Sequence, residues 1–210
     1  MVTRAPQMGQ NCPLFADGSV SGCQALSAHN GKEKMPPSPE WIRIRLQIMT
    51  ENIQLVLDRL REAAANFVHT VDSSSAMERE AFLARLSHCL AELYSSALDL
   101  PAVEPDTTGT DETPFATEKW AELYNSLRGK IGPLDAYWEI FDSTERNSAV
   151  QSTLAGDISE IYFDLKHDLH LEEKGISPGD FLWELRTSFR SHWGKHLLGA
   201  LRAIHDRHVE

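Results

Sequence analysis

The sequence predicts an all-α fold, an irregular bundle of about five or six helices in a single domain. In several long segments, apolar residues recur at intervals of three and four, the pattern of amphipathic helices with one buried face. No segment has a convincing strand pattern of alternating apolar and polar residues. A chain of 210 residues with 41% hydrophobic and 24% charged residues also has the composition of one globular domain.

The first part of the chain differs from the rest. Residues 1–38 are rich in Gly, Ser, Pro and Asn and lack apolar periodicity. Such a segment buries too little apolar surface to offset the conformational entropy that it would lose on ordering. We therefore expect residues 1–38 to form a disordered N-terminal leader and residues 50–208 to form the all-helical domain. Cys12 and Cys23 have no second Cys or His pair at short spacing, which disfavours a zinc site in the leader.

Three helices are predicted in the first half of the domain. The first helical pattern begins at Glu51 and stops at the sequence VDSSS. The second ends near Pro101, because proline cannot continue a helix, and the third runs from about Phe115 to Arg128. The short aromatic segment LDAYWEIFD follows. It is either a helical turn or an ordered connection, and the sequence leaves both alternatives open.

Two long helices are predicted to close the chain. The first runs through LAGDISEIYFDLKHDLHL. The second begins at SPGD, where Ser177 suits the N-cap, Pro178 the first helical position and Asp180 the positive end of the helix dipole. It continues as one helix through FLWELRTSFRSHWGKHLLGALRAI. Because Gly194 and Gly199 each cost about 1 kcal/mol relative to alanine inside this helix, we expect close-packed neighbours there.

The last two helices carry the residues with the clearest chemical potential. Four residues apart, His192 and His196 lie on one side of the last helix, at the edge of its apolar face. The preceding helix carries acidic residues along one border of its own apolar face: Asp157, Glu160, Asp164 and Asp168. The connection EEKGIS is short, so we expect the two helices to be antiparallel neighbours whose acidic border meets the histidines.

Two hypotheses follow from this arrangement. Imidazole and carboxylate groups on facing helices suit a divalent metal such as zinc, iron or manganese. The ligands would be His192, His196, Asp157, Asp164 and Asp168, and Tyr162 would be a nearby acid or hydrogen-bond donor in a hydrolase or oxidoreductase. In the other hypothesis, which we favour, no metal is bound. Arg186 pairs with Asp157 or Asp164, the histidines bond to carboxylates, and Trp193 belongs to the same structural network or cleft.

Common enzyme signatures are missing from the sequence. It contains no Gly-rich phosphate loop, no G-x-S-x-G elbow and no H-E-x-x-H motif, and no Glu stands three residues before His192 or His196. Its five tryptophans are residues that are often buried or found at interfaces. We therefore predict no cofactor and favour a non-catalytic protein-interaction or assembly module with a protein partner or a homo-oligomeric state.

The net charge and the number of cysteines indicate which classes of partner are disfavoured and which cellular compartment is expected. The formal net charge of −11, without a cluster of Lys or Arg, disfavours nucleic acid and anionic membranes as partners. No apolar run is long enough to cross a bilayer. Three cysteines are too few for a disulfide framework, so we expect a reducing compartment and a cytoplasmic protein.

Part of the sequence resembles a known family. The segment LAGDISEIYFDLKHDLHLEEKG, followed by FLWELRTSFRSHWGKHLLGALRAIH, is similar to a bacterial family catalogued as domain of unknown function 5063. The similarity extends upstream through LAELYSSALDLPAVEPD and YWEIFD, and covers roughly Thr50 to His205. The resemblance implies an all-helical bacterial domain without an established activity, so no catalytic residues are carried over. The matching positions are Asp157, Ile161, Tyr162, Asp164, Leu165, Trp183, His192, Trp193, Gly194, His196 and His205.

Overall fold

A computed structural model describes residues 38–107, 117–140 and 149–207. These residues form six α-helices: α1 (Pro39–Asp72), α2 (Arg79–Leu98), α3 (Thr117–Ile131), α4 (Leu154–Glu173), α5 (Pro178–Ser191) and α6 (Trp193–His205). They also form a small antiparallel sheet of β1 (Ala136–Ile140) and β2 (Ala149–Thr153). The prediction of a mostly all-α fold with about five or six helices is confirmed. Apart from Ser38, the predicted leader lies outside the described residues, as do Cys12 and Cys23.

The first two helices form an antiparallel pair of unequal length. Near one end of the pair the Thr70 hydroxyl lies 3.4 Å from the Cys89 thiol, and near the other Arg59 pairs with Asp99 at 3.1 Å. The pair is held by apolar side chains that include Leu60, Phe67 and Leu86. Since α1 has 34 residues and α2 has 20, α1 extends beyond its neighbour. It begins at Pro39, well before Glu51, where the helical pattern was predicted to start.

The strands correct the sequence analysis, which found no strand. Residues Ala136–Ile140 are β1, not the predicted helical turn or connection, and Tyr137 lies opposite Ser152 of β2. Each strand has only five residues, too few for the alternation to be recognised in the sequence. The backbone N–H of Leu154 donates to the Asp135 carbonyl, and that of Ala155 donates to the Asp135 carboxylate. These bonds join the start of α4 to the start of β1.

The central element is α4, which packs against α1, α3, α5 and α6. Its predicted inward residues Leu154, Ile158 and Ile161 are fully buried. At its start the Thr153 hydroxyl accepts a hydrogen bond from the Gly156 backbone N–H, so the helix begins with a side-chain cap. The helix therefore carries its acidic residues on a fixed framework between its neighbours.

The predicted final helix is in fact two helices, and His192 lies between α5 and α6 with φ −132° and ψ −89°. The prediction of a single long helix was wrong, because the apolar spacing on which it depended continues across the break. The Ser177 cap is confirmed, since its hydroxyl accepts from the Asp180 backbone N–H. Close neighbours are also confirmed at both glycines. A Cβ on Gly194 would overlap the Phe189 carbonyl, and one on Gly199 would lie 2.6 Å from the Tyr137 hydroxyl.

In the part of the chain that the structure describes, no helix has the combination of length and apolar character needed to cross a membrane.

Candidate functional site

The interface between α4 and α6 contains a His–Asp pair in which the aspartate is buried and the histidine partly buried. His196 Nδ1 lies 2.9 Å from Asp157 Oδ1, and the two side chains are 19% and 2% exposed. Asp157 is in the first turn of α4, where the helix dipole favours a negative charge. Removing either partner would therefore leave the other polar group buried without its hydrogen bond.

Tyr137 of β1 completes this inner pair. Its hydroxyl lies 2.5 Å from Asp157 Oδ2 and 2.7 Å from Glu139 Oε2. A phenol has one proton to donate, so both contacts are satisfied together only when one of the two carboxyl groups carries a proton. Tyr137 and Glu139 reach this position because they lie on the same face of β1 and because Gly199 leaves space for them on α6.

The pKa values indicate that this cluster retains a proton. The hydrogen bond to Asp157, together with the charge of that carboxylate, raises the pKa of His196. Burial raises the pKa of Asp157, against the hydrogen bonds from His196 and Tyr137 that lower it. Burial and the nearby Asp157 charge also raise the pKa of Tyr137, so the phenol stays protonated. The inner pair can thus hold a proton and distribute it over its hydrogen bonds.

A second His–Asp pair lies nearer the surface. His192 Nδ1 is 2.6 Å from Asp164 Oδ2, and the two side chains are 48% and 19% exposed. His192 is the residue at the break between α5 and α6. Its ring meets that of His196 edge to face, with 4.9 Å between centroids. The predicted meeting of the acidic border with the histidines is therefore observed, as two separate pairs.

The arrangement bears on the metal hypothesis. Each imidazole contacts a different carboxylate through Nδ1. Across residues 38–107, 117–140 and 149–207, no three His, Cys, Asp or Glu side chains form a group that could hold a metal ion. In these same ranges neither imidazole is hydrogen-bonded to a Ser, Thr or Cys side chain that would be a nucleophile. Among the described residues, the geometry is that of two hydrogen-bonded His–Asp pairs.

Two further predicted site residues lie away from the histidines. Asp168 is almost fully buried, and its Oδ2 has no hydrogen-bond partner among the described residues. Burial, followed by the charges of Asp164 and Glu184, raises its pKa well above the usual range. The Tyr162 hydroxyl donates to Asp72 of α1 at 2.9 Å, and burial is the main reason that its pKa is raised to about 12. Neither side chain completes the paired cluster.

The remaining candidates have separate positions. Glu160 contributes through its charge to the raised pKa of His196. Trp193 is fully buried, with its ring 4.7 Å from that of Phe189, so it belongs to the core. Arg186 lines a cavity on the other side of α5, and within the described residues Asp157 and Asp164 bond to the histidines rather than to it. The ion pair expected for Arg186 is therefore wrong.

Sequence reasoning missed Tyr137 and Glu139, the two β1 residues of the inner cluster. The signal that identifies them is their spacing: in YWE they are two residues apart and share one face of a strand. The sequence predicts a helical turn or a connection for this segment, and in neither of these does a spacing of two place the side chains on one face.

The first half of α1 forms a second, apolar candidate site. Along the whole helix, apolar residues follow a spacing of alternating four and three: Ile42, Leu46, Met49, Ile53, Val56, Leu60, Ala63 and Phe67. This heptad spacing is typical of a helix that packs along another helix. Leu60, Ala63 and Phe67 are buried in the bundle, whereas Leu46 is 58% exposed. We call residues 39–52, which carry the exposed part of this stripe, the α1 extension.

The comparisons with known proteins show the fold and the family of the chain. A crystal structure of protein BF1032 from Bacteroides fragilis shares the fold with a TM-score of 0.62 at 23% sequence identity, and the match covers 72% of this chain and 91% of that one. No curated protein sequence matches the chain. The family model described as a domain of unknown function (DUF5063) matches residues 51–210, and the chain belongs to this family.

Proposed function

We propose that this protein is a non-catalytic assembly module that self-associates through the α1 extension. The observation that carries the proposal is the continuity of one apolar stripe across a change of environment. From Val56 onwards the stripe packs into the bundle, whereas Ile42, Leu46 and Met49 on the same line are exposed among the described residues. Water contact with such a stripe is unfavourable, so its burial favours association.

Helix pairing explains why only part of the stripe is buried. The last turn of α2 lies beside Arg59, which pairs with Asp99, so α2 provides no partner for the turns of α1 that precede it. At 1.5 Å per residue, the α1 extension is about 20 Å long. A second helix placed against it would continue the packing that α2 begins. The heptad spacing suits such a helical partner.

Charge supports a second copy of this chain as that partner. The whole chain carries a net charge of −11, which would oppose association of two copies at most surfaces. The α1 extension is locally balanced, since Glu40 and Glu51 are matched by Arg43 and Arg45. In an antiparallel pair, Glu51 of one copy approaches the two arginines of the other.

The available surface suits a reversible dimer. Exposed apolar side chains of the α1 extension include Ile42, Ile44, Leu46, Ile48 and Met49. Only Ile42, Leu46 and Met49 lie on the stripe, because Ile44 and Ile48 lie on the opposite side of the helix. These three present on the order of 250 Å² of apolar surface, so two copies paired through the stripe would bury about 500 Å² in total, which is less than a standard specific interface. We therefore propose a weak, reversible dimer, roughly in the high micromolar range, rather than an obligate one.

Sedimentation velocity of the full chain over roughly a hundredfold range of concentration tests this proposal. We expect a monomer–dimer equilibrium that Leu46→Gln with Met49→Gln weakens at least tenfold. Leu98→Gln is the matched control, because Leu98 is a leucine of similar exposure (61%) on α2. A chain that stays monomeric throughout, or a dimer weakened equally by the control, would reject the proposal.

The negative charge and the buried free thiol of Cys89 support the rest of the assignment. We propose a reducing, cytoplasmic location and a partner that is neither nucleic acid nor an anionic membrane.

A divalent metal site is the second candidate function, and the observation that favours it is the 4.9 Å distance between the His192 and His196 rings beside two carboxylates. Elemental analysis of untagged protein purified without chelator tests it. Near-stoichiometric metal that disappears in a His192→Ala, His196→Ala double variant would support this candidate. Metal-free folded protein would reject it.

A further inference from the structure

A cavity of about 400 Å³ lies between α2, α5 and α6, and the residues of the His–Asp pairs do not line it. Its apolar part comes from Tyr94 and Leu98 of α2, Phe189 of α5 and Leu198 of α6. Tyr94 and Phe189 meet edge to face at 5.5 Å between ring centroids. The aromatic and aliphatic surface suits the body of a small organic molecule.

Three cations line the same cavity. Arg186 and Arg190 are one turn apart on α5, and Lys195 lies in the first turn of α6. No Asp or Glu contributes to the lining among the described residues. Asp99, the acidic residue next to Leu98, is paired with Arg59 on the opposite side of α2.

These cations are available to a ligand. Within the described ranges of the chain, no side-chain hydrogen bond or ion pair is formed by Arg186, Arg190 or Lys195. The chain has a net charge of −11, so we expect a negative electrostatic potential over most of its surface. Three cations that line one cavity are unusual against this background. Two arginines on one helix face also provide the planar donors that bind a carboxylate in a bidentate way.

The break between α5 and α6 creates this arrangement. Gly194 packs against the Phe189 carbonyl where a Cβ would overlap it, and this contact turns α6 away from α5. The last turn of α5, which carries Arg190, and the first turn of α6, which carries Lys195, therefore both lie at the cavity.

We propose that this cavity binds a small organic carboxylate with an aromatic or branched apolar body. Arg186 and Arg190 bind the carboxylate, Lys195 adds positive potential, and Tyr94 and Phe189 contact the apolar body. This inference is independent of the proposed self-association, since the cavity lies on α2, α5 and α6 and does not include the α1 extension.

The experiment compares 2-naphthoate with its uncharged counterpart 2-naphthamide by calorimetric titration of the full chain at low salt. We expect 2-naphthoate to bind at least tenfold more tightly than the amide. In Arg186→Gln with Arg190→Gln this preference disappears. The matched control removes two exposed cations on α3, Lys119→Gln with Arg128→Gln, and keeps the preference.

A second variant tests the location without removing a cation. Leu198→Glu places a negative charge at the rim of the cavity, at a half-exposed position that the fold does not depend on. We expect it to weaken binding of 2-naphthoate severalfold more than binding of the amide, because both ligands lose the apolar contact with Leu198 but only the acid is repelled by the new charge. Equal binding of acid and amide by the unaltered chain, no binding of either, or an equal loss in the α3 control would overturn the proposal.

Discussion

The α4–α6 interface and the α1 extension contrast in how far the bundle satisfies their side chains. At the interface, the polar groups of His196, Asp157 and Tyr137 are buried and hydrogen-bonded to one another. On the α1 extension, apolar groups such as Leu46 are exposed. The histidines are the more conspicuous feature of the sequence, but the exposed part of the apolar stripe is what lacks a partner within the described chain. The exposed apolar residues of the α1 extension, rather than the histidines, are therefore the feature that suggests a function.

The largest effect should come from breaking the inner pair. We expect His196→Ala to lower the free energy of unfolding by about 3 kcal/mol, because Asp157 would remain buried without its partner. Urea unfolding with and without EDTA measures this. The account requires the same loss in both conditions. A loss that EDTA alone reproduces in the unaltered protein would instead indicate a metal site.

The same variant has a defined pH dependence. The pKa of His196 is raised in the folded protein, so the folded state holds its proton more tightly than the unfolded state does. This contribution is fully present below the ordinary histidine value of about 6.5 and is lost as the pH rises through the folded pKa. The penalty of His196→Ala should therefore be smaller at alkaline pH than in mild acid. A penalty that grows with pH would contradict the proton assignment.

Removing the carboxylate of Asp168 should have a smaller effect on the free energy of unfolding, and it should stabilise the protein rather than destabilise it. Its folded pKa is well above the usual range, so its stabilising contribution is present below about pH 3.8 and is lost as the pH rises toward the folded pKa. Asp168→Asn removes that loss and should stabilise the protein by about 1 kcal/mol at neutral pH. The gain should vanish near pH 4. Destabilisation at neutral pH would show that the hydrogen bond between Ser188 and the carboxylate outweighs the cost of burying the charge.

The two histidines of the interface should differ in how much they contribute to stability. Because the side chain of His192 is half-exposed, His192→Ala should cost less than about 1 kcal/mol, even though its distance to Asp164 is the shorter of the two. Paired urea titrations with His196→Ala provide the measurement. Equal losses for the two variants would mean that depth in the bundle is not what separates the pairs.

The smallest effect on folding should come from the α1 extension. Leu46→Gln with Met49→Gln should change the unfolding free energy by no more than about 0.5 kcal/mol when measured below the dimer dissociation constant, since both side chains are exposed there. Leu60→Ala, on the buried part of the same stripe, should cost about 3 kcal/mol. A large loss from the first variant would show that the bundle itself covers the α1 extension.

Much of the fold and part of the site follow from sequence. The stripes of α2 and α4, the Ser177 cap and the meeting of two aspartates with two histidines depend on local spacing and a short connection, which the chain displays directly. The break at His192 depends on the contact of Gly194 with the Phe189 carbonyl, a packing event that leaves the apolar spacing intact. The position of Tyr137 depends on strand pairing across residues 141–148, which five-residue strands do not reveal.

Exposure was the other feature that spacing alone did not settle. Leu46 and Phe67 occupy equivalent positions in the heptad pattern, yet only Phe67 has α2 beside it. Which part of a continuous stripe is covered depends on the relative lengths of α1 and α2, and hence on tertiary structure.

Hydrogen–deuterium exchange of the backbone amides of residues 39–52, measured at several protein concentrations, tests the central claim most directly. The account predicts fast exchange in dilute protein and protection that grows with concentration, and it predicts no such gain in Leu46→Gln with Met49→Gln. Protection that is already complete in dilute protein would mean that the same chain covers the stripe. Fast exchange at every concentration would mean that no second copy binds it.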